Sequence, residues 1–252
     1  MRYLSFAVCL LFAGAVLAQD AMELVKQLKS TDVEERRRAA KKLSDLKEEA
    51  KPATSDILNA LKQKDQDMYV KRFLAQALGA VKADPKTAVP VLASLLGDSK
   101  VELVSAAIES LGQMGAQGVD PLVRVLNGRN SGTTKGKEKE KKGGTVNKND
   151  PEAELRAKAA NALGDIGAAA KPAVPALMKA LDDKTARIEA ANALGSIGPG
   201  AKDAVAKLKE EAENKQNKRD KNFTKAVNEA ISKIGGSGST TAKKKKKDKN
   251  GS

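Results

Sequence analysis

The sequence predicts an all-α fold of stacked helix pairs, and three observations carry that expectation. A short apolar phrase returns at spacings of 31 to 37 residues, once stretched to 52. Upstream of each copy the apolar residues fall three or four apart, the period of one buried helix face. No segment alternates apolar and polar residues long enough to read as a strand. Self-similarity on this scale marks a solenoid, in which a unit buries its apolar face only against its neighbours.

The repeat is anchored by the apolar residue before the turn that ends each unit: Leu43, Leu78, Leu111, Leu163, Leu194 and Ile231. The phrase reads Ala-Leu-Gly-Ala-Val at 77–81, Ala-Leu-Gly-Asp-Ile-Gly at 162–167 and Ala-Leu-Gly-Ser-Ile-Gly at 193–198. Ser110-Leu-Gly-Gln-Met-Gly115 and Ala230-Ile-Ser-Lys-Ile-Gly235 are close variants, and Leu43-Ser-Asp-Leu46 is the most worn. In the fourth unit Leu155, Ala159, Ala160, Ala162, Leu163 and Ile166 mark the buried face, with alanines that let helices approach closely. Gly115, Gly167 and Gly198 stand where a left-handed residue would close the helix.

A first helix precedes each of these, seen in 57–61, 91–96, 122–126 and 176–181. Pro90, Pro121 and Pro175 stand at their expected starts, where a missing amide costs nothing. Asp120 and Asp150, each just before a proline, read as N-caps. The expected helix pairs are 21–53, 55–88, 89–119, 120–173, 174–204 and 205–236.

The phrase Glu154-Leu-Arg-Ala-Lys-Ala-Ala-Asn-Ala-Leu-Gly-Asp-Ile-Gly167 and its copy at 186–198 resemble the HEAT-like repeat of bilin-lyase-type proteins. The resemblance spans 21–236, strongest in units two to five, and implies a right-handed α-α superhelix of six helix pairs. The family carries an arginine early in the second helix, matched by Arg36, Arg156 and Arg187, with Lys71 in its place in unit two. Val104 and Thr224 depart from the pattern. The resemblance implies that these basic residues bridge to acids in the preceding turn: Asp32, Asp65 or Asp67, Asp150, and Asp182 or Asp183. A polar ladder at repeat spacing serves structure in solenoids generally.

The chain opens with Arg2, an apolar run from Leu4 to Leu17, and Val16-Leu17-Ala18 ahead of Gln19, the parts of a secretory signal peptide over residues 1–18. A run of about 14 residues is shorter than the roughly 20 of a spanning helix. The expected location is therefore secreted or periplasmic. Cys9, the only cysteine, leaves with that segment, so no disulfide is expected and packing alone must stabilise the solenoid.

The net charge of +14 points to a polyanion partner until its distribution is read. The segment 128–150 carries +4 and the run from Lys243 to Lys249 carries +5, leaving the repeats nearly balanced. Both segments are polar, contain no aromatic residue, and read as a flexible basic insert and a disordered lysine-rich tail over 237–252. Lys243, Lys244, Lys245, Lys246 and Lys247 are the candidates for a nonspecific contact with a polyanion or anionic surface. Without aromatics there is no base stacking, so sequence-specific nucleic-acid binding is not expected.

Chemistry is thinly represented. With no histidine, and no cysteine outside the leader, the chain offers neither a Cys/His zinc site nor a Ser-His-Asp arrangement. Deoxyhypusine hydroxylase resembles this repeat but needs His-Glu motifs, which are missing. Gly132-Thr-Thr-Lys-Gly-Lys-Glu138 imitates a phosphate loop yet is one residue short and ends in Glu instead of Ser or Thr. No cofactor, metal or catalytic residue is expected.

The expected function is a scaffold that holds a protein or peptide on the concave face, which solenoids use for binding. Alternative readings are a bilin-lyase-like accessory protein and a polyanion-binding surface protein. Second helices line the concave side in the resembling family, and positions two, five and six before each anchor form a polar stripe opposite the core. The stripe holds Arg37, Arg38 and Lys41, then Arg72, Phe73 and Gln76, Glu109, Lys158 and Asn161, and Glu189 and Asn192. It runs from basic to mixed and acidic, and Phe73 suits the core nearly as well. N-terminal sequencing of the protein recovered from its own cells is expected to return Gln19; Met1 on a cytoplasmic product would remove the export expectation.

Overall fold

The computed structural model describes residues 20–63, 65–128 and 150–235. The expected signal peptide at 1–18, nearly all of the 128–150 insert with its glycine-rich loop, and the 237–252 tail with Lys243 to Lys247 lie outside the described residues. Helical residues 20–27 (α1) pair with α2, Val33–Asp45, and α3, Thr54–Leu61, pairs with α4, Met68–Ala80. The later pairs are α5, Pro85–Leu95, with α6, Val101–Gln113; α7, Val119–Leu126, with α8, Pro151–Ile166; α9, Val174–Ala180, with α10, Arg187–Ile197; and α11, Val205–Glu213, with α12, Lys221–Ile234. Among the described residues there is no strand. The fold is the expected all-α solenoid of six helix pairs.

Each pair turns the same residues inward. Ile57, Leu92, Leu122, Leu177 and Leu208 of the first helices are fully buried, as are Leu43, Leu78, Leu111, Leu163 and Leu194 of the second helices. Ile231 is only half-buried and Ile234 takes the deeper place. Three connectors between units are 3-10 turns whose alanines also enter the core: Ala50 and Ala53, Ala170 and Ala173, and Ala201 and Ala204. The sequence reading passed over these turns because their small residues leave no helical period.

Aspartates start most second helices. Asp32, Asp67, Asp150 and Asp220 accept backbone amides of the first turn, as side-chain caps do. Gly115, Gly167 and Gly198 take the expected left-handed conformation four residues after their anchors, at φ of 62°, 67° and 67°. Lys47 and Lys82 hold the same position in the first two units, at φ of 52° and 51°.

Two boundaries differ from expectation. α5 begins at Pro85 with Asp84 as its cap, so the third unit starts four residues early and Pro90 lies inside a helix. Pro90 is exposed, and its position in the second turn keeps the lost hydrogen bond near the helix start. α7 begins at Val119, capped by the backbone at Gly118, so Asp120 sits in the first turn and is not the N-cap. The 3-10 turn at Gly115–Gly118 runs directly into that helix and displaces the cap.

The second helices form an unbroken series, α2 on α4, α4 on α6, α6 on α8, α8 on α10 and α10 on α12. The first helices touch more sparingly, with α3 on α5 and α7 on α9. The second-helix layer is therefore the tighter, inner layer.

The glycine of each Leu-Gly phrase explains that tightness. A Cβ built on Gly164 would lie 3.2 Å from Ala193 Cα, and one on Gly195 would lie 3.0 Å from Ala230 Cα. A Cβ on Gly112 would meet Ala162 Cβ at 3.2 Å, and one on Gly79 would run into Gln113 and Ser110. Each glycine thus faces the small residue just before the next unit's anchor. Gly164→Val and Gly195→Val should each cost about 1–3 kcal/mol by overpacking, whereas Gly97→Ala, which meets only Ser94 O at 4.0 Å, should stay within about 0.5 kcal/mol. Urea melts of the three variants check this, and equal losses at all three sites would sink the close-approach explanation.

Candidate functional site

The inner surface is built from one stripe on each second helix. Arg38, Lys41, Glu109, Asn161 and Asn192 are exposed, and Arg72, Phe73, Gln76, Lys158 and Glu189 are half-buried. The structure brings them together in neighbourhoods instead of one continuous site. Helical spacing extends the stripe nine positions before the anchor and two after it. That extension adds Tyr69, Gln113 and Asp165, which the sequence reading missed although the same period points to them.

The first neighbourhood joins α2 to α4. Arg37 donates from Nε to Asp67 Oδ1 at 2.9 Å and from Nη2 to Oδ2 at 2.7 Å, a two-pronged pair of the geometry that guanidinium and carboxylate favour. Glu34 accepts from Arg37 Nη1 at 2.6 Å. Asp67 also caps α4 through the amides of Tyr69 and Val70, at 3.0 and 3.2 Å. One carboxylate therefore starts α4 and ties it to α2. The hydrogen bond from Arg37 holds the Asp67 carboxyl down to about 2 against the cost of its burial, with the Val70 and Tyr69 amides assisting.

Aromatic rings complete this neighbourhood. The Arg37 guanidinium lies 4.8 Å from the Tyr69 ring centre, and that of Arg72 lies 5.4 Å from Tyr69 and 4.6 Å from Phe73. Phe73 also packs against the core, so it serves both roles that its sequence position suggested. Tyr69 is 43% exposed, one of two large apolar or aromatic side chains so open among the described residues.

The second neighbourhood is a groove of about 520 Å³ between α6 and α8, lined by Glu109, Gln113, Lys158, Asn161 and Asp165 over a floor of Gly112 and Ala162. Lys158 donates to Ser105 Oγ at 2.6 Å and pairs with Glu154 at 3.4 Å. Among the described residues no group of three or more His, Cys, Asp or Glu side chains is arranged to hold a metal ion.

The repeat-spaced arginines reach forward to the next unit, and Arg36 and Arg156 also reach back to their own preceding turn. Arg156 Nε donates to Asp183 Oδ2 of the following unit at 2.6 Å, while Asp150 of its own unit is 4.0 Å away. Arg187 donates to Asn217 Oδ1 at 2.9 Å and Asp220 Oδ2 at 2.7 Å, again one unit on, with its guanidinium 4.5 Å from the Phe223 ring centre. The Asp220 carboxyl is held below its ordinary value, chiefly by the Phe223 amide and then by Arg187. Arg36 donates to Gln66 Oε1 at 3.2 Å and to the carbonyls of Ser30 and Thr31 instead of Asp32. The expected Asp150 is thus the more distant of two partners of Arg156, Arg36 bonds carbonyls of its preceding turn instead of Asp32, and Arg187 pairs with Asp220 of the next unit instead of Asp182 or Asp183. Lys71 also has an interaction partner.

A sequence profile described as HEAT repeats matches residues 54–136 and 146–227, more than half of the chain. The chain belongs to the HEAT-repeat family. No curated protein matched in sequence. Among solved structures, this HEAT-repeat chain is similar to an engineered protein at 24% identity and a TM-score of 0.52, covering 87% of this chain and 98% of the other. A designed armadillo repeat protein is similar at 17% identity and a TM-score of 0.53, covering 84% and 98%. Computationally designed armadillo repeat proteins described as made for modular peptide recognition align at 19% identity and 0.51, covering 83% and 98%. At these identities the likeness concerns the fold. Among the described residues of the HEAT-repeat chain, no helix is long and apolar enough to cross a membrane.

The Asp67 pair fixes an acid response. Its folded value of about 2 lies below the ordinary 3.8, so its contribution is complete above about pH 4 and is lost as the pH falls through about 2. After allowance for solvent screening of this partly exposed pair, that contribution is about 1 kcal/mol. Urea melts at pH 5 and pH 2 should show Asp67→Asn losing less stability across the interval than the parent chain; an identical drop in both would remove the assignment.

Proposed function

We propose that this HEAT-repeat chain is a non-catalytic scaffold that holds an extended segment of a protein partner along its inner face. The observation that carries this reading is the file of accessible polar side chains on the tightest layer of the fold. The glycine contacts hold neighbouring second helices at fixed separations, so the stripe is presented on a rigid support, which lowers the ordering cost of binding. Gln76, Asn161 and Asn192 recur at the position two before the anchor, and a carboxamide offers both the donor and the acceptor that a peptide backbone needs. The designed relatives made for modular peptide recognition lend the reading support through their shared architecture. The scaffold works outside the cytoplasm, a reading supported by Arg2, the apolar run to Leu17, and Ala18.

Panning a displayed library of linear peptides on the full-length chain tests the assignment. Selected peptides should lose at least tenfold in affinity when Gln76, Asn161 and Asn192 are changed together to Ala, a change that leaves the helical circular dichroism intact. They should ignore Lys62→Glu with Lys179→Glu on the first helices. The reverse pattern, binding lost on the outer pair and kept on the inner triple, would overturn the inner-face assignment.

A further inference from the structure

Among the described residues three arginine side chains lie over aromatic rings, and two of them also hold a carboxylate at the edge of the guanidinium. Arg37 lies over Tyr69 and grips Asp67 with two prongs. Arg187 lies over Phe223 and donates to Asp220. Arg72 is the third. It lies over both Tyr69 and Phe73, yet makes no hydrogen bond or ion pair with any described residue. Its Nε is buried without an acceptor, as is that of Arg187, so what sets Arg72 apart is that no carboxylate among the described residues meets its terminal nitrogens.

The neighbouring charges do not compensate it. Arg37 is occupied by Glu34 and Asp67, and Lys41 by Asp45 at 2.8 Å. Arg38 is exposed and, like Arg72, has no anionic partner among the described residues. Two uncompensated guanidinium groups therefore stand at the α2–α4 end of the inner face. One of them is held in place by rings that orient the plane but cannot satisfy the N–H groups. A carboxylate on the terminal nitrogen Nη2 is what the other two ring-stacked arginines hold, Asp67 at Arg37 and Asp220 at Arg187.

We infer that Arg72, with Arg38 on the neighbouring helix α2, is a specificity site that takes the carboxylate of an Asp or Glu side chain from the partner segment, completing the ring–guanidinium–carboxylate arrangement the protein already builds at Arg37 and Arg187. This rests on the inner-face reading and names the chemistry of the segment bound there. The partner is an acidic peptide, positioned so that its carboxylate meets the α2–α4 end. The remainder passes toward α6 and α8, where Glu109 and Asp165 disfavour further acids.

The test uses peptides recovered by panning on the full-length chain, each synthesised as a matched pair with its Asp or Glu replaced by Asn or Gln. The acid should be enriched at one peptide position, and its amide counterpart should bind the parent chain roughly ten- to a hundredfold more weakly, the worth of a charge-assisted hydrogen bond. On Arg72→Gln the two members of the pair should bind alike. Arg72→Lys, which keeps the charge and most of the stem against the rings but loses the fork, should restore only part of the preference and guards against a folding defect in the first variant. Peptides that depend on Gln76, Asn161 and Asn192 but show no acid preference, or keep it undiminished in Arg72→Gln, would overturn this inference and leave the inner-face reading standing. Peptides indifferent to the inner triple would overturn both.

Discussion

The separation between successive second helices is the constraint on which the rest of the molecule depends. Gly112, Gly164 and Gly195 let one helix backbone come against the alanine of the next, and no side chain fits between them. Everything on the inner layer inherits that spacing. The forward reach of Arg156 and Arg187 to the next unit's aspartate works only because the neighbouring cap is that close. The file of anchors from Leu43 to Leu194 is fully buried between the stacked units.

Much of this was legible in the amino-acid order. The Ala-Leu-Gly phrase carries fold, unit count and buried face together, since its alanine, leucine and glycine respectively approach, fill and make room. The left-handed glycines were equally readable because few residues tolerate that conformation. The starts of α5 and α7 were less so. Pro90 and Asp120 each bear the mark of a helix start, but Asp84 with Pro85 bears it too, and the turn at Gly115–Gly118 overrides Asp120. Local signals compete on equal terms in sequence, and tertiary packing decides among them.

The inner face was legible as a stripe but not as neighbourhoods. Counting positions on one helix finds Arg37, Arg72 and Phe73, yet cannot show that Tyr69 is shared by two guanidinium groups or that Asp67 serves as both cap and counter-ion. These are relations between helices, fixed by crossing geometry. The direction of the arginine bridges belongs here too: the resemblance implied acids of the preceding turn, whereas the shorter pairs of Arg156 and Arg187 reach the acid some 30 residues on.

Val104 stands where other units place a basic residue, so α6 and α8 are joined by core packing, the approach of Gly112 to Ala162 and the hydrogen bond from Lys158 to Ser105, without an arginine–carboxylate pair such as Arg156 makes between α8 and the turn before α10. A coil braced at most of its turns and unbraced at one does not deform evenly. Under torque or tension the pitch yields first at the unbraced turn, and the segments on either side move as stiff arms. The stripe up to Gln113 and the stripe from Lys158 onward would then each stay stiff, and the angle between them is the softest degree of freedom of the inner face.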